Sequence, residues 1–202
     1  MAQPHRSLRI AVADDELDMR EYFGETLPLL GHQVVTLAST GRELIDLCAN
    51  ASAELVITDI RMPDMDGIEA AGYLYQSRPI PVILVSAYHD DELIARAEAE
   101  HISAYLIKPV KQADLETAIS IAMRRFEQFQ SLSAEAASLR QALEDRKLIE
   151  RAKGILMKRA GLDEPLAFTR MQRLASEKNY KLVEIAKIIL TAEEAMAPKH
   201  PK

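Results

Sequence analysis

Asp14, Asp15, Asp59, Ser86 and Lys108 are the residues of this chain whose types and placement can do chemistry together. Three carboxylates gathered in one place repel one another and need a cation. Oxygen-only donors suit Mg²⁺, which keeps several of its waters and readily bridges to a phosphate. Lys108 adds a point positive charge, and Ser86 a hydroxyl donor. A nucleophilic carboxylate, a divalent ion and a cation for the equatorial oxygens are the parts that phosphoryl transfer requires. Singly, each piece is weak. An Asp-Asp pair is usually a surface turn, and Lys-Pro usually a loop. The set gains force only if the fold brings its members together.

The pattern around these residues says that it does. Residues 8–12, 34–37, 55–58, 82–85 and 104–107 are short apolar runs, several rich in Val and Ile. Such runs suit strands buried on both faces of a parallel sheet. Helical patterns lie between and after them, at about 16–30, 41–50, 67–76, 90–100 and from 112 onward. Strand–helix alternation predicts an α/β fold, a five-stranded parallel sheet covered on both sides. In an open parallel sheet, functional residues gather at the carboxyl ends of the strands. Asp14 and Asp15 follow the first strand, Asp59 ends the third, Ser86 follows the fourth and Lys108-Pro109 follows the fifth. All therefore fall on one edge.

After Lys111 no strand signal remains. From Leu115 to Arg146 a helical pattern runs without Gly or Pro, with an apolar seam of Ile119, Ala122, Phe126, Phe129, Leu132, Ala136, Leu139 and Leu143. That is a heptad rhythm with one extra three-residue step, a stammer that locally overwinds a supercoil. It predicts a helical linker over 112–146, continuous with the last helix of the sheet domain and forming either a dimeric coiled coil or a connector packed on its own chain. Three helices are predicted beyond it, at about 145–160, 163–179 and 181–196. Gly161 suits the first stop, Asp163 is a good N-cap, and Asn179 accepts the left-handed conformation. They make a small all-α bundle.

Charge divides along the same line. Residues 1–139 hold 11 Lys/Arg and 22 Asp/Glu, whereas residues 140–202 hold 14 and 9. An acidic half joined to a basic half implies different partners, and the basic half is suited either to nucleic-acid phosphates or to a solvated helix surface. Cys48 is the only cysteine, which excludes an intramolecular disulfide or a cysteine metal cluster and reads as a small buried hydrophobe. No apolar run reaches membrane-spanning length and Met1–Ser7 has no signal-peptide stretch, so the expectation is a cytoplasmic protein with no membrane partner.

Four segments resemble the response-regulator receiver family over about residues 7–125. They are Val12-Ala13-Asp14-Asp15-Glu16, Thr58-Asp59-Ile60-Arg61-Met62-Pro63-Asp64-Met65-Asp66-Gly67, Val85-Ser86-Ala87 and Ala104-Tyr105-Leu106-Ile107-Lys108-Pro109. The resemblance implies a doubly wound, flavodoxin-like sheet in which Asp59 accepts phosphate from a sensor histidine kinase. It implies Mg²⁺ on Asp15, Asp59 and the Arg61 backbone carbonyl, with Asp14 acting largely through water. Ser86 and Tyr105 would be a switch pair, Ser86 turning toward the phosphoryl oxygens and Tyr105 following. By itself, Tyr105 is equally an ordinary strand aromatic. The domain would catalyse only its own phosphorylation and dephosphorylation, so no enzyme acting on other substrates is expected.

The segment Ile149-Glu150-Arg151-Ala152-Lys153-Gly154-Ile155-Leu156-Met157, with Asn179-Tyr180-Lys181-Leu182-Val183-Glu184-Ile185-Ala186, is similar to the ANTAR family, named for the AmiR and NasR transcription antitermination regulators. The similarity covers about residues 140–196, with the three-helix output domain at 147–196. It implies binding of paired RNA hairpins in a messenger leader, dimeric action and antitermination. Candidate RNA contacts are Arg151, Lys153, Lys158, Arg159, Arg170, Arg173, Lys178 and Lys181, with Tyr180 either stacking on a loop base or pinning the third helix. Gly154, costly inside a helix, serves either close helix packing or close approach of RNA. Two other outputs are weighed against RNA. One is a DNA-reading helix-turn-helix, which the apolar and acidic third helix disfavours. The other is a protein-interaction module that binds no nucleic acid.

Overall fold

The apolar runs of the first half form β1 (Arg9–Ala13), β2 (Gln33–Ala38), β3 (Leu55–Asp59), β4 (Val82–Ser86) and β5 (Ala104–Ile107). The computed structural model describes residues 6–87 and 102–196, so the helix expected at 90–100 lies outside the described residues. All five strands pair in parallel, in the order β2-β1-β3-β4-β5. Every residue of β3 and β4 is buried, which is why residues 55–57 and 82–85 are apolar without alternation, the polar Thr58, Asp59 and Ser86 coming only at the carboxyl ends. β5 lies at the edge and is only partly covered.

Helices α1 (Leu17–Leu29), α2 (Gly41–Ala51), α3 (Gly67–Ser77) and the start of α4 (Gln112–Ala160) enclose the sheet. Successive strand residues feed opposite faces. Ala11, Val56 and Leu84 pack with Leu44 and Ile68 on one side. Ile10, Ile57 and Val85 pack with Phe23, Leu27 and Leu115 on the other. The doubly wound α/β architecture expected from the sequence is the one observed. Full burial of each large side chain contributes about 1.5–3 kcal/mol, so two such layers hold the strand ends firmly.

The chain divides into two compact units after Gln130, a point inside α4. The second unit contains the rest of α4, α5 (Glu164–Lys178) and α6 (Leu182–Met196). Ala152, Met171, Ala175, Ile185, Ala186 and Leu190 form its core. Alanines at the contacts let the helices approach closely. Gly161 (φ 63°) and Asn179 (φ 56°) adopt the left-handed conformation that stops a helix. Asp163 caps α5 by accepting from the Leu166 N–H at 2.9 Å. The two helices expected to meet near residue 145 form one uninterrupted helix: no Gly or Pro separates them, and the cap-type residue at the junction, Asp145, accepts from the Gln141 side chain at 2.7 Å instead of capping. The apolar seam divides along it. Ile119 and Ala122 are buried in the first unit's core, whereas Leu132, Leu139 and Leu143 are 66, 60 and 59% exposed.

Two glycines fix the loop after β3. Asp66 caps α3, accepting from the Glu69 N–H at 2.7 Å. The next residue, Gly67, donates its N–H to Ile60 O at 2.9 Å. A Cβ on Gly67 would lie 2.0 Å from the Asp59 carbonyl oxygen, and one on Gly41 2.6 Å from the Met65 carbonyl oxygen. No rotamer relieves a clash between Cβ and backbone, so the loop must move. We expect Gly67→Ala to destabilise the first unit by about 1–3 kcal/mol. Urea unfolding followed in the sheet by hydrogen exchange checks this; an unchanged midpoint would show that the loop yields freely.

Candidate functional site

The strand ends bring the sequence-predicted carboxylates together. Asp14 N–H bonds to Ala38 O at 3.1 Å, Ile60 N–H to Val85 O at 3.1 Å and Lys108 N–H to Ser86 O at 2.8 Å. Each loop is thereby tied to the neighbouring strand just as it leaves the sheet. Ligand oxygens of Asp14, Asp15, Glu16 and Asp59 all lie within 4.8 Å of one another.

The Lys108 ammonium sits among these groups. Its Nζ is 2.7 Å from Asp59 Oδ2, 2.7 Å from Glu16 Oε1 and 3.0 Å from Asp14 Oδ2. Burial works against its charge, but the hydrogen bonds to Asp59 and Glu16 and the close approach of the Asp14 carboxylate outweigh that and raise its pKa well above the usual lysine value. The Asp59 Oδ1 accepts the Arg61 N–H at 3.2 Å, so both oxygens of that carboxylate are held. Asp14 is fully buried. Burial pushes its carboxyl pKa up, as does the negative charge of Asp59; the Glu16 N–H and Lys108 oppose the rise. Its Oδ2 is close enough to Lys108 for an ion pair yet receives no hydrogen bond of good geometry. A buried carboxylate oxygen without a directional donor, in an all-oxygen cluster, fits a hard divalent cation.

Asp15 is exposed at the rim, and Arg20 Nη1 secures the carbonyls of Asp14 and Asp15 at 2.6 and 3.0 Å. Ser86 is buried at the end of β4. Tyr105 is half-buried on β5 against the cluster that contains Leu84. Arg61 is exposed. Glu16 is the pocket residue that the sequence reading did not single out, although its place directly after Asp15 was a signal. Cys48 lies outside the pocket, its pKa pushed up to about 11 by burial, with Arg78 pulling the other way.

The second unit sorts its basic residues into two groups. Lys153 is buried, with Nζ 2.8 Å from Glu150 Oε2, 2.7 Å from Glu164 Oε1 and 5.8 Å from the centre of the Phe168 ring. It thereby joins α4 to the first turn of α5. Arg159 makes a two-pronged bond to Glu193 of α6, Nε to Oε2 at 3.0 Å and Nη2 to Oε1 at 2.8 Å. Both cations brace the bundle. Arg151, Lys158, Arg170, Arg173, Lys178 and Lys181 are exposed. Arg170 and Arg173 flank an open groove with Leu162 and Leu166. Tyr180 is 51% exposed, so its ring is available on the surface and is not the core pin that was the alternative. No helix among the described residues is long and apolar enough to cross a membrane.

Comparison with known proteins agrees with this division. Residues 10–120 match the response regulator receiver domain, and residues 137–190 match the ANTAR domain. Over 90% of its length the chain is 37% identical to the transcriptional regulatory protein PdtaR of Mycobacterium tuberculosis (strain H37Rv), of which 89% is covered. Among solved structures, the signal receiver domain of the response regulator NarL from Mycobacterium tuberculosis is 27% identical, with a TM-score of 0.54 over 56% of this chain and 94% of that one. A receiver domain from Clostridium thermocellum is 29% identical, with a TM-score of 0.54 over 60% and 98%. An acidic pocket at the carboxyl edge of a parallel sheet, followed in one chain by a basic helical bundle, is thus an arrangement with full-length relatives, and the chain belongs to the two-component response regulators that join a receiver domain to an ANTAR domain.

Proposed function

We propose that the chain is a phosphorylation-controlled, cytoplasmic antiterminator. A sensor histidine kinase phosphorylates Asp59, and the helical unit then binds paired hairpin RNA in messenger leaders. The observation that carries the first half is the ammonium of Lys108 shared among Asp59, Glu16 and Asp14.

In this reading an Asp59 carboxylate oxygen attacks the phosphorus of phosphohistidine. The O–P bond forms, the P–N bond breaks, and the imidazole leaves with its electron pair. Lys108, already charged and in place, transfers its contact from the Asp59 carboxylate to the phosphoryl oxygens. The Ser86 hydroxyl donates to a second oxygen, and Tyr105 follows it as the switch. Asp15, Asp59 and the Arg61 carbonyl would hold Mg²⁺ directly and Asp14 largely through water. Bound there, the ion would neutralise carboxylate repulsion and charge developing on the phosphoryl group. Hydrolysis of the acyl phosphate resets the domain.

The exposed Leu132, Ala136, Leu139 and Leu143 seam supports dimerisation on phosphorylation, with two helical units on two hairpins. Arg151, Lys158, Arg170, Arg173, Lys178 and Lys181 are the basic RNA-contact candidates on the surface, and the exposed ring of Tyr180 would stack on an extruded base. Lys153 and Arg159 contribute by holding the helices that present them.

Three measurements test this. With acetyl phosphate and Mg²⁺, mass spectrometry of the intact chain should show one added phosphoryl group, absent in Asp59→Asn and after chelation of Mg²⁺. Equal labelling of Asp59→Asn removes Asp59 as acceptor. Sedimentation should move from monomer toward dimer on the same treatment; a persistent monomer sinks the dimer step. In a gel shift, tandem hairpin RNA should bind and duplex DNA should not. Preference for the duplex restores the DNA-binding alternative, and no binding at any salt concentration leaves a protein-interaction module.

A further inference from the structure

Glycine inside a helix is disfavoured relative to alanine, so a mid-helix glycine asks for a reason. Gly154 lies within α4, a helix that runs unbroken from Gln112 to Ala160. Its φ is not in the left-handed region, unlike those of Gly31 and Gly161, so the backbone does not require it. Packing does not require it either. A Cβ built on Gly154 meets nothing within 4 Å, and the residue is exposed. The contrast with Gly41 and Gly67, where a Cβ would strike a carbonyl oxygen, is complete.

Its neighbours on the helix surface are informative. The core of the second unit contacts α4 at Ala152, with Leu148, Ile149, Ile155 and Leu156 beside it. At 3.6 residues per turn, Gly154 points about 160° away from Ala152. The same outward line carries Lys147, Arg151 and Lys158, at intervals of four, three and four residues, all exposed. Lys147 also pairs with Glu144 at 2.6 Å on the surface. Lys153, to one side of this line, and Arg159, on the Ala152 side, are held by Glu164 and Glu193. The outward line therefore shows a bare stretch of helix backbone with basic side chains along it; the carboxylate there, Glu150 one turn before Gly154, is engaged by Lys153 at 2.8 Å.

We propose that this outward face of α4 is a contact site for an RNA sugar-phosphate backbone, with Gly154 as the point of closest approach and Lys147, Arg151 and Lys158 neutralising the phosphates beside it. The inference rests on the RNA reading above and assigns a surface to it. A second copy of this chain is a poorer occupant, because self-packing across the glycine would set the same three cations against one another. A polyanion meets them with complementary charge.

Gly154→Ala in the full chain separates these roles. Nothing opposes the added methyl within the chain, so the thermal midpoint of the second unit should rise, by about 4 °C. Affinity for tandem hairpin RNA should nevertheless fall tenfold or more, and further in Gly154→Met. Arg151→Ala with Lys158→Ala should flatten the dependence of log affinity on log salt by about one unit or more. Gly154→Ala that binds RNA as the parent does overturns the proposal. So does a lowered midpoint, which marks internal packing, or a phosphorylated form that sediments as monomer only in the variant, which marks a copy interface. If the unsubstituted chain binds no RNA, the RNA reading itself fails, an outcome distinct from equal binding by parent and variant.

Discussion

The ammonium of Lys108, held between Asp59, Glu16 and Asp14, is the contact on which the acidic pocket depends. Two like charges about 4 Å apart repel by roughly 4 kcal/mol at an effective dielectric constant near 20. Four carboxylates converge within this pocket, and Asp14 has no exposure to solvent to screen it. One lysine offsets only part of that repulsion. The rest is opposed by the two apolar layers of the sheet and by the backbone bonds that tie each loop to the next strand. The pocket is consequently preorganised for further positive charge and for a group that reorders the lysine's contacts. Strain of this kind is tolerated where function uses it.

Much of this was legible before any coordinates. Buried parallel strands announce themselves as continuous Val- and Ile-rich runs, and their carboxyl ends then locate Asp14, Asp59, Ser86 and Lys108 without further information. The illegible parts are tertiary. Glu16 is an acidic residue in a loop until the end of β5 delivers Lys108 to it. Gly41 and Gly67 are needed because carbonyls of Met65 and Asp59 pass close by, a fact carried by no local pattern. The seam on α4 shows the same limit. Periodicity reveals an apolar face but not its cover, and Ile119 and Ala122 go into the sheet domain while Leu132 to Leu143 remain outside.

The helical unit adds a lesson about charge. Residue type marks Lys153 and Arg159 as cations, and family resemblance made them candidates for RNA. Their carboxylate partners lie 11 and 34 positions further along the chain, Glu164 across the Gly161 turn and Glu193 on α6. A basic residue in a nucleic-acid-binding bundle can thus hold the scaffold that aims its neighbours. In the proposed RNA-binding role, removing it would weaken binding without its ever touching a phosphate. The number of basic residues in the unit therefore overstates how many are available on its surface.

Phosphorylation itself poses a constraint on any mechanism of control. The segment containing the receiver already carries a strongly negative balance, 22 acidic against 11 basic residues over 1–139. A phosphoryl group adds charge of about −1.5 to −2. Its direct field can only repel RNA, and at physiological salt it is screened over about 8 Å. A phosphorylation signal that strengthens RNA binding must therefore act through association or shape rather than charge. Association has the larger lever. Two basic units joined as a dimer engage two hairpins with an effective concentration set by the tether, and avidity of that kind raises affinity by about 10²–10⁴ without a new contact. The exposed leucines of α4 are the part of the chain suited to supply it. On this account Asp59 controls how many helical units reach the RNA together, and the face around Gly154 controls how closely each one docks.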